Sequence, residues 1–455
     1  MVSRAPQQQT AAILMATLAF MVCFAAWTLI SVVGLEVKAE LALTETQFGL
    51  LVATPVLTGA LIRLPLGVLV ERFGGRSLLL TLMLLLSLPL YGLSLASTFT
   101  QFLLLGLGVG VAGGAFTLGI HFASAWSDRA HQGLSMGLVG AGNLGAALTN
   151  LVAPLIILAY GWRLAPVIYA AVLVLLSLLF WVLTREDPDQ PRRRASRGRP
   201  LLGQQLAPLA DARVWRFGLY YFFVFGGFVA LTLWLPDYYH GHYGLDVGSA
   251  SFLTLLFTIP GALMRIVGGW CADRFGARQV NWAVFWVCLV CLFFLSYPPT
   301  SMTIHGINRD VTLQLDMPLW LFTALISVVA VAMGFGKAGV FRRIYDYYPE
   351  RVGVVGGTVG AIGALGGFVL PVLFGIAADL LGVRSSCFML LYGLLALCMI
   401  AMYLGIAHDN RQRRLQEAIA NNFLREDAAP AARLQRATMA ASSTELRHPE
   451  RGAEQ

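Results

Sequence analysis

Twelve stretches of mostly apolar residues follow one another along the chain. Each is about 20 residues long, the length at which an α-helix crosses the hydrocarbon core of a bilayer while satisfying its own backbone hydrogen bonds. We therefore predict an all-α membrane protein with twelve transmembrane helices. The predicted spans are 11–33, 47–70, 77–97, 101–125, 136–160 and 164–183, then 213–236, 249–271, 280–297, 317–341, 353–377 and 386–407.

The composition indicates that lipid surrounds much of the chain. Only 12% of the residues are charged, whereas a soluble domain averages about 25%. The basic residues are not interleaved with aromatic residues as nucleic-acid binding would require, so we expect no nucleic-acid partner. All cysteines except Cys271 lie in apolar stretches, and none has the cysteine and histidine neighbours of a metal site. This pattern predicts unpaired thiols, no metal and no cofactor.

Arginines are concentrated in alternate loops, and the positive-inside rule places those loops and both termini in the cytoplasm. The loops carry Arg72, Arg76, Arg129, Arg274, Arg278, Arg342, Arg343 and Arg351, with six more arginines between 184 and 212. The opposite side carries only Lys38, Arg163, Arg309 and Arg384. We predict a multi-pass protein of the bacterial inner membrane.

The segment 184–212 is rich in proline, arginine and polar residues, and it separates the first six predicted spans from the last six. We expect an N-terminal six-helix bundle (1–183), a cytoplasmic linker (184–212), a C-terminal six-helix bundle (213–407) and a cytoplasmic tail (408–455). In the tail, Leu415, Ile419 and Phe423 recur every four residues. This spacing predicts a short amphipathic helix on the inner membrane surface.

Two segments match each other without a gap: RLPLGVLVERFGGR at 63–76 and RIVGGWCADRFGAR at 265–278. They lie at equivalent ends of the second and eighth predicted spans, which indicates an internal duplication with two pseudo-symmetric halves. The matched residues include Arg63 with Arg265, Gly67 with Gly269, Glu71 with Asp273 and Arg72 with Arg274.

The G-x-x-x-[DE]-R-x-G-x-R part of each copy resembles the loop motif of the major facilitator superfamily. The resemblance implies the major facilitator fold. The glycines of the motif permit a tight turn against a neighbouring helix, and its acid–arginine pairs can latch the cytoplasmic side closed.

Arg63 and Arg265 each lie eight residues before the acid of this motif, which is about 12 Å deeper in the membrane. A snorkelling side chain does not span that distance. Because no Asp or Glu lies in the middle of any predicted span, the expected partner of these cations is a bound anion. The planar guanidinium fork suits a planar oxyanion, and the alternative is a structural cation held by helix carbonyls.

Two glycine-rich segments narrow the choice of anion. GLVGAGNLGAALTNLVAPLI (137–156) and GGTVGAIGALGGFVLP (356–371) resemble the paired signatures of the nitrate/nitrite porter family of the same superfamily. Four glycines in the second segment recur every three residues, which makes a smooth face for close helix approach. The expected packing and gating glycines in these segments are Gly142, Gly145, Gly360 and Gly363. The first signature departs from the family at Ala146 and Ala147.

The resemblance implies a secondary transporter, not an enzyme, that binds nitrate between two arginines near aromatic rings. The residues implied in the site are Arg63, Arg265, Asn143, Tyr221, Phe225 and Phe116. Tyr221 and Phe225 are four residues apart and so share one helix face. We expect a monomer in the lipid bilayer that binds nitrate and nitrite.

A third basic residue, Lys337 in the sequence GKAGVF, lies inside the tenth predicted span. It is a candidate for coupling transport to protons, and its alternative is a side chain that reaches toward the cytoplasmic face. Nitrate–proton symport and nitrate–nitrite antiport therefore both stay open. Two other functions also stay open, a carrier of another small anion such as a carboxylate and a transporter-like anion sensor.

Overall fold

The computed structural model describes residues 6–126, 138–186, 207–305, 307, 310–348 and 352–445. Within these residues, twelve helical segments are long and apolar enough to cross a membrane, which confirms the predicted number. We call them span 1 to span 12. Their helices are Pro6–Thr28 and Ile30–Glu40 (span 1), Glu45–Leu61 and Arg63–Phe73 (span 2), Gly75–Leu95 (span 3), Phe99–Val109 and Ala115–Trp126 (span 4), Gly145–Tyr160 (span 5), Leu164–Leu183 (span 6), Ala212–Tyr221 and Gly227–Tyr243 (span 7), Val247–Phe275 (span 8), Ala277–Leu295 (span 9), Leu319–Tyr347 (span 10), Val352–Leu381 (span 11) and Ser386–Glu445 (span 12 and its continuation).

Short side-chain caps fix where several spans begin. The side chains of Thr44 and Thr98 each accept a hydrogen bond from the backbone N–H three residues later. In turn, the side-chain oxygens of Gln47 and Gln101 accept a hydrogen bond from the backbone N–H of the capping threonine. These capping boxes satisfy orphan N–H groups at the starts of spans 2 and 4. The sequence therefore fixes where the helices of both spans begin.

The first half and the second half pack internally and also against each other. Span 3 packs on span 6, span 1 on spans 4 and 5, and span 10 on spans 8 and 9. Between the halves, span 2 packs on span 11, span 5 on span 8, and span 1 on span 7. Glycines allow the closest approach, since a Cβ at Gly49 would overlap the carbonyl group of Pro371 and one at Gly375 would overlap that of Glu45.

Some boundaries differ from the prediction. Span 7 continues to Tyr243, beyond the predicted end at 236, because the buried carboxylate of Asp237 has cationic partners that hydropathy alone does not reveal. The predicted loop between spans 9 and 10 contains an antiparallel hairpin of two strands, β1 (Thr300–His305) and β2 (Asp310–Leu315). In the predicted linker, residues 187–206 lie outside the described part of the chain.

The chain divides into two compact units, Met1–Cys398 and Met399–Gln455. The described part of the second unit belongs to the long helix Ser386–Glu445. The predicted short amphipathic helix is thus part of a longer one. The exposed side chain of Leu415 is described, whereas those of Ile419 and Phe423 are not.

Candidate functional site

Three spans lose their regular α-helical geometry at the level of the predicted site. Span 4 contains a 3₁₀ segment at Gly110–Gly114, span 5 another at Ala141–Leu144, and span 7 a π-helical turn at Phe222–Gly226. Inside a membrane such irregular backbone is tolerated where protein or a cavity surrounds it, and it recurs at functional sites. The predicted site residues Phe116, Asn143 and Phe225 lie in or beside these three segments.

Arg63 begins the second helix of span 2, directly after a break at Ile62. Its Nε donates a hydrogen bond to the carbonyl oxygen of Gly113 at 3.2 Å, within the 3₁₀ segment of span 4. Its Cζ lies 6.0 Å from the centre of the Phe116 ring and 5.8 Å from that of Phe225. The guanidinium is therefore oriented by one backbone carbonyl and two aromatic rings.

Aromatic rings connect the surroundings of Arg63 to those of Arg265. Phe225 stacks on Tyr221 with centroids 5.1 Å apart and an angle of 8° between the rings. Tyr221 in turn meets the edge of Phe341 at 5.1 Å, and Arg265 Cζ lies 5.6 Å from the centre of the Phe341 ring. The structure thus brings both predicted arginines, Tyr221 and Phe225 into one cluster lined by aromatic faces.

The charge of this cluster is uncompensated within the described part of the chain. No described carboxylate forms an ion pair with Arg63 or Arg265. Arg265 lies close enough to both Arg63 and Lys337 for its charge to repel theirs. Two guanidinium charges beside a buried amine at membrane depth are costly unless an anion joins them.

Asn143 is 5% exposed and lies in the 3₁₀ segment of span 5. The link that we observe between this segment and Arg63 runs through rings: Gly142 lies against Phe20, whose centroid is 5.2 Å from that of Phe116. A Cβ at Gly142 would overlap the Phe20 ring, and one at Gly145 would overlap the carbonyl group of Met21. These two glycines therefore allow spans 1 and 5 to approach at the level of the site.

Lys337 is completely buried in span 10. Its Nζ donates a hydrogen bond to the carbonyl oxygen of Gly261 at 2.8 Å and lies 3.5 Å from the centre of the Phe228 ring. The side chain therefore points toward spans 7 and 8. These contacts with the Gly261 carbonyl and the Phe228 ring favour a side chain directed into the protein over the alternative in which it reaches toward the cytoplasmic face.

The glycines of span 11 include positions in close contact with span 7 and positions with open space around them. A Cβ at Gly363 would overlap the Tyr221 ring, and one at Gly366 would lie 2.8 Å from the carbonyl oxygen of Phe222. A Cβ at Gly360 would meet no described atom within 4 Å, and the same holds at Gly269 in the repeated motif. Close packing therefore accounts for Gly363, and the expectation of close packing at Gly269 and Gly360 is not met in this conformation.

The repeated motif forms contacts within each half. Asp273 pairs with Arg342 of span 10 at 2.7 Å, and Arg76 donates to the carbonyl oxygen of Trp181 at 2.6 Å. The guanidinium of Arg72 lies over Phe73 at 5.2 Å, and that of Arg274 over Trp270 at 5.5 Å. The side chain of Glu71 lies outside the described part of the structure. The Asp273 ion pair thus braces span 8 against span 10, both in the second half.

A ring of four charged residues joins both halves on the side where spans 1 and 7 end, which is the side predicted to lie opposite the termini. Lys38 contacts Glu45 at 2.6 Å and Asp237 at 2.8 Å, while Arg384 contacts the same two carboxylates at 2.9 and 3.1 Å. Asp237 is 1% exposed. Beside this outer ion-pair ring, Asp379 of span 11 accepts hydrogen bonds from the backbone of Glu45 and Thr46. These contacts tie the two halves together on that side.

Sequence reasoning missed Phe341, Phe20 and the outer ion-pair ring. A signal for Phe341 was present, because it lies four residues after Lys337 and so shares its helix face. The ring had a weaker signal: Lys38 and Arg384 are two of the few basic residues on the side that should be poor in them. Their carboxylate partners come from different spans, so only the fold brings the four residues together.

Comparison with known proteins identifies the superfamily. Residues 15–308 match the model of the Major Facilitator Superfamily. A probable nitrate/nitrite antiporter NarK1 from Thermus thermophilus is 39% identical over 406 residues, which cover 86% of this chain and 90% of the relative. A probable nitrate/nitrite transporter NarK2 from Mycobacterium tuberculosis is 33% identical over 82% of this chain and 90% of its own. The nitrite extrusion protein of Bacillus subtilis is 29% identical over 81% of this chain and 87% of its own.

Solved structures agree on the fold. A bacterial homologue of the human lysosomal transporter Spinster, in an inward-facing and unoccupied conformation, superposes with a TM-score of 0.69 at 15% identity, over 88% of this chain and 97% of its own. The nucleoside transporter NupG superposes with a TM-score of 0.68 at 12% identity, over 87% of this chain and 99% of its own. At this identity the likeness supports the fold alone.

Proposed function

Because this chain belongs to the nitrate/nitrite porter family of the major facilitator superfamily, we propose that it carries nitrate and nitrite across the bacterial inner membrane by alternating access. It is a multi-pass membrane transporter and not an enzyme. The proposal places the anion between Arg63 and Arg265, against the rings of Phe225, Tyr221 and Phe341. Both termini lie in the cytoplasm in this proposal, in keeping with the arginine-rich loops.

The observation that carries the proposal is the pair of arginines without a described carboxylate partner. A guanidinium offers two parallel N–H groups to a carboxylate-like or nitrate-like edge. One donor of Arg63 is already directed to Gly113, which leaves its remaining N–H groups for a ligand. Because aromatic rings lie near both guanidinium groups, the space between the arginines favours a flat anion over a bulky one.

Transport requires that the site open to each side in turn. The outer ion-pair ring and the tight contact between spans 2 and 11 support a state that is closed on the side opposite the termini. In our proposal the two halves rock about the site, and these contacts break when the carrier faces outward. The anion lowers the cost of the rocking step because it neutralises charge in the site.

We further propose that Lys337 carries a proton into the site together with the anion. Its contacts are one carbonyl and one aromatic ring, so its positive charge is least costly when an anion lies near Arg265. A proton that enters with nitrate would make the cycle a symport. An obligatory exchanger, by contrast, needs only the two arginines and would leave Lys337 without a coupling role.

The function is tested with purified protein in proteoliposomes. Labelled nitrate is measured in counterflow, with unlabelled nitrite, formate or sulfate as the competing anion. We expect nitrate and nitrite to support counterflow, and formate and sulfate to support little. Counterflow that is driven better by a carboxylate would overturn the assignment of nitrate, and an Arg265→Gln variant reconstituted at equal density is the control for specific uptake.

The coupling role is tested with Lys337→Gln in two modes. Nitrate uptake driven by an inward proton gradient should be lost, while nitrate–nitrite counterflow without a gradient should persist. Lys337→Arg, which keeps a fixed charge, should also lose the pH-driven mode. Equal survival of both modes in Lys337→Gln would remove this residue from coupling and leave antiport as the mechanism.

A further inference from the structure

The hairpin between spans 9 and 10 has one polar face and one apolar face. Directly opposed residues in an antiparallel ladder share a face. The register therefore places three pairs of polar residues on one face and, on the other face, three pairs that consist of apolar residues except for Thr300. The polar pairs are Ser301 with Gln314, Thr303 with Thr312 and His305 with Asp310; the others are Thr300 with Leu315, Met302 with Leu313 and Ile304 with Val311.

The apolar face of the hairpin is not covered by the described part of the protein. Met302 and Ile304 are each 46% exposed, Leu313 is 42% exposed and Leu315 is 45% exposed. Ile307, in the turn, is fully exposed. A two-stranded hairpin is marginal in water by itself and needs another surface against its apolar face.

Exposed aromatic residues flank the hairpin in the sequence, at the end of span 9 and the start of span 10. Phe293 and Phe294 near the end of span 9 are 58% and 50% exposed, as expected of side chains that face lipid. Tyr297, just after span 9, is 52% exposed, and Trp320, at the start of span 10, is 71% exposed. Exposed tyrosine and tryptophan at span ends belong at the level of lipid headgroups.

We propose that the hairpin lies flat on the lipid of the leaflet opposite the termini, with its apolar face among the acyl chains near the headgroups. Each strand of six residues is about 20 Å long, so the hairpin extends along the interface instead of spanning the membrane. The polar face, on which His305 Nδ1 lies 3.0 Å from Asp310 Oδ1, then faces water. Lipid is the cover that we propose because the chain enters and leaves the hairpin beside exposed aromatic residues, Tyr297 and Trp320, that mark the membrane surface.

Spin labelling in proteoliposomes of phosphatidylethanolamine and phosphatidylglycerol tests this placement. Single cysteines are introduced at Met302→Cys, Thr303→Cys and Ile304→Cys in a Cys271→Ser background, since the other five native cysteines are buried. Each nitroxide is exposed to oxygen, which concentrates in lipid, and to a water-soluble nickel chelate. We expect the ratio of oxygen to nickel accessibility to be several-fold higher at 302 and 304 than at 303.

Two results would overturn the proposal. High nickel accessibility at all three positions would place the hairpin in water, whether folded or not. Spin–spin broadening at 302 and 304 that disappears on dilution with unlabelled protein would identify a second copy as the cover. Elution of each labelled variant as a single peak in size-exclusion chromatography controls for folding, and the accessibility measurement needs no substrate, so its outcome is independent of the proposed transport function.

Discussion

Replacing Asp237 by asparagine removes the most buried charge of the outer ion-pair ring. The wild-type carboxylate pairs with Lys38 at 2.8 Å and with Arg384 at 3.1 Å. Asparagine keeps the size of the side chain but loses its charge, which leaves two cations that share only Glu45. We therefore expect Asp237→Asn to destabilise the state in which the site is closed opposite the termini.

The size of the effect follows from burial. Breaking a buried pair by removing one partner costs about 3–5 kcal/mol. The side chains of Lys38 and Arg384 are 16% and 31% exposed, so water recovers part of this loss. A net cost of about 2–3 kcal/mol corresponds to roughly a 30- to 150-fold shift toward the outward-open state.

The shift is measured as the labelling rate of a cysteine beneath the ring. Val52 is 1% exposed and lies seven residues after Glu45, which is about 10 Å further into the membrane. A Val52→Cys reporter in the Cys271→Ser background is treated with a membrane-impermeant maleimide from the side opposite the termini. Labelling should accelerate in Asp237→Asn by about the factor given by the equilibrium shift.

Two controls distinguish the loss of the ring contacts from a general loss of charge on that side of the protein. Asp310→Asn removes a carboxylate on the same side whose side chain is 58% exposed, and it should leave labelling at wild-type rate. Lys38→Gln combined with Asp237→Asn removes both partners and should slow labelling again, because one fewer cation is unpaired. An unchanged rate in Asp237→Asn would refute the assignment of the ring as an outer seal.

Three further predictions concern the site itself. Arg63→Lys keeps the charge but loses the guanidinium fork, so nitrate affinity in proteoliposomes should fall by roughly 10- to 100-fold, and wild-type uptake would exclude Arg63 from the site. Asn143→Ala and Phe225→Ala should weaken affinity by about three- to tenfold, less than Arg265→Ala at equal expression; the reverse order would contradict our roles. Gly363→Ala should displace the Tyr221 ring and impair nitrate uptake. Gly360→Ala lies three residues away, where the added methyl group meets open space, and should transport normally. Equal uptake by the two variants would show that the overlap with Tyr221 does not matter.

Hydropathy predicted the twelve spans because each must supply enough apolar length to cross lipid, independently of its neighbours. The gapless repeat likewise predicted that Arg63 and Arg265 lie at equivalent depth. The structure brings both into one aromatic cluster with the predicted Tyr221 and Phe225. Features that depend on a local or a duplicated sequence pattern are therefore the ones that the sequence predicts and the structure contains.

The remaining features depend on contacts between distant segments. The outer ion-pair ring needs residues from spans 1, 2 and 7 and from the turn before span 12, and its contacting pair Glu45 and Arg384 is separated by 339 residues in the sequence. The π-helical turn that stacks Phe225 on Tyr221 is a backbone irregularity without a distinct local signal in FFVFG. The hairpin did have a period of two in its strands, but a search for apolar spans of about 20 residues passes over segments of six.

The two halves differ at one position that bears on coupling. Phe116 and Phe341 occupy similar places, each against the arginine of its own half at 6.0 and 5.6 Å. Four residues before each ring, the first half has Ala112 and the second half has Lys337, and both are buried. A purely symmetric anion clamp has no use for a buried amine on one side only. This asymmetry supports our proposal that the second half takes up a proton together with the anion.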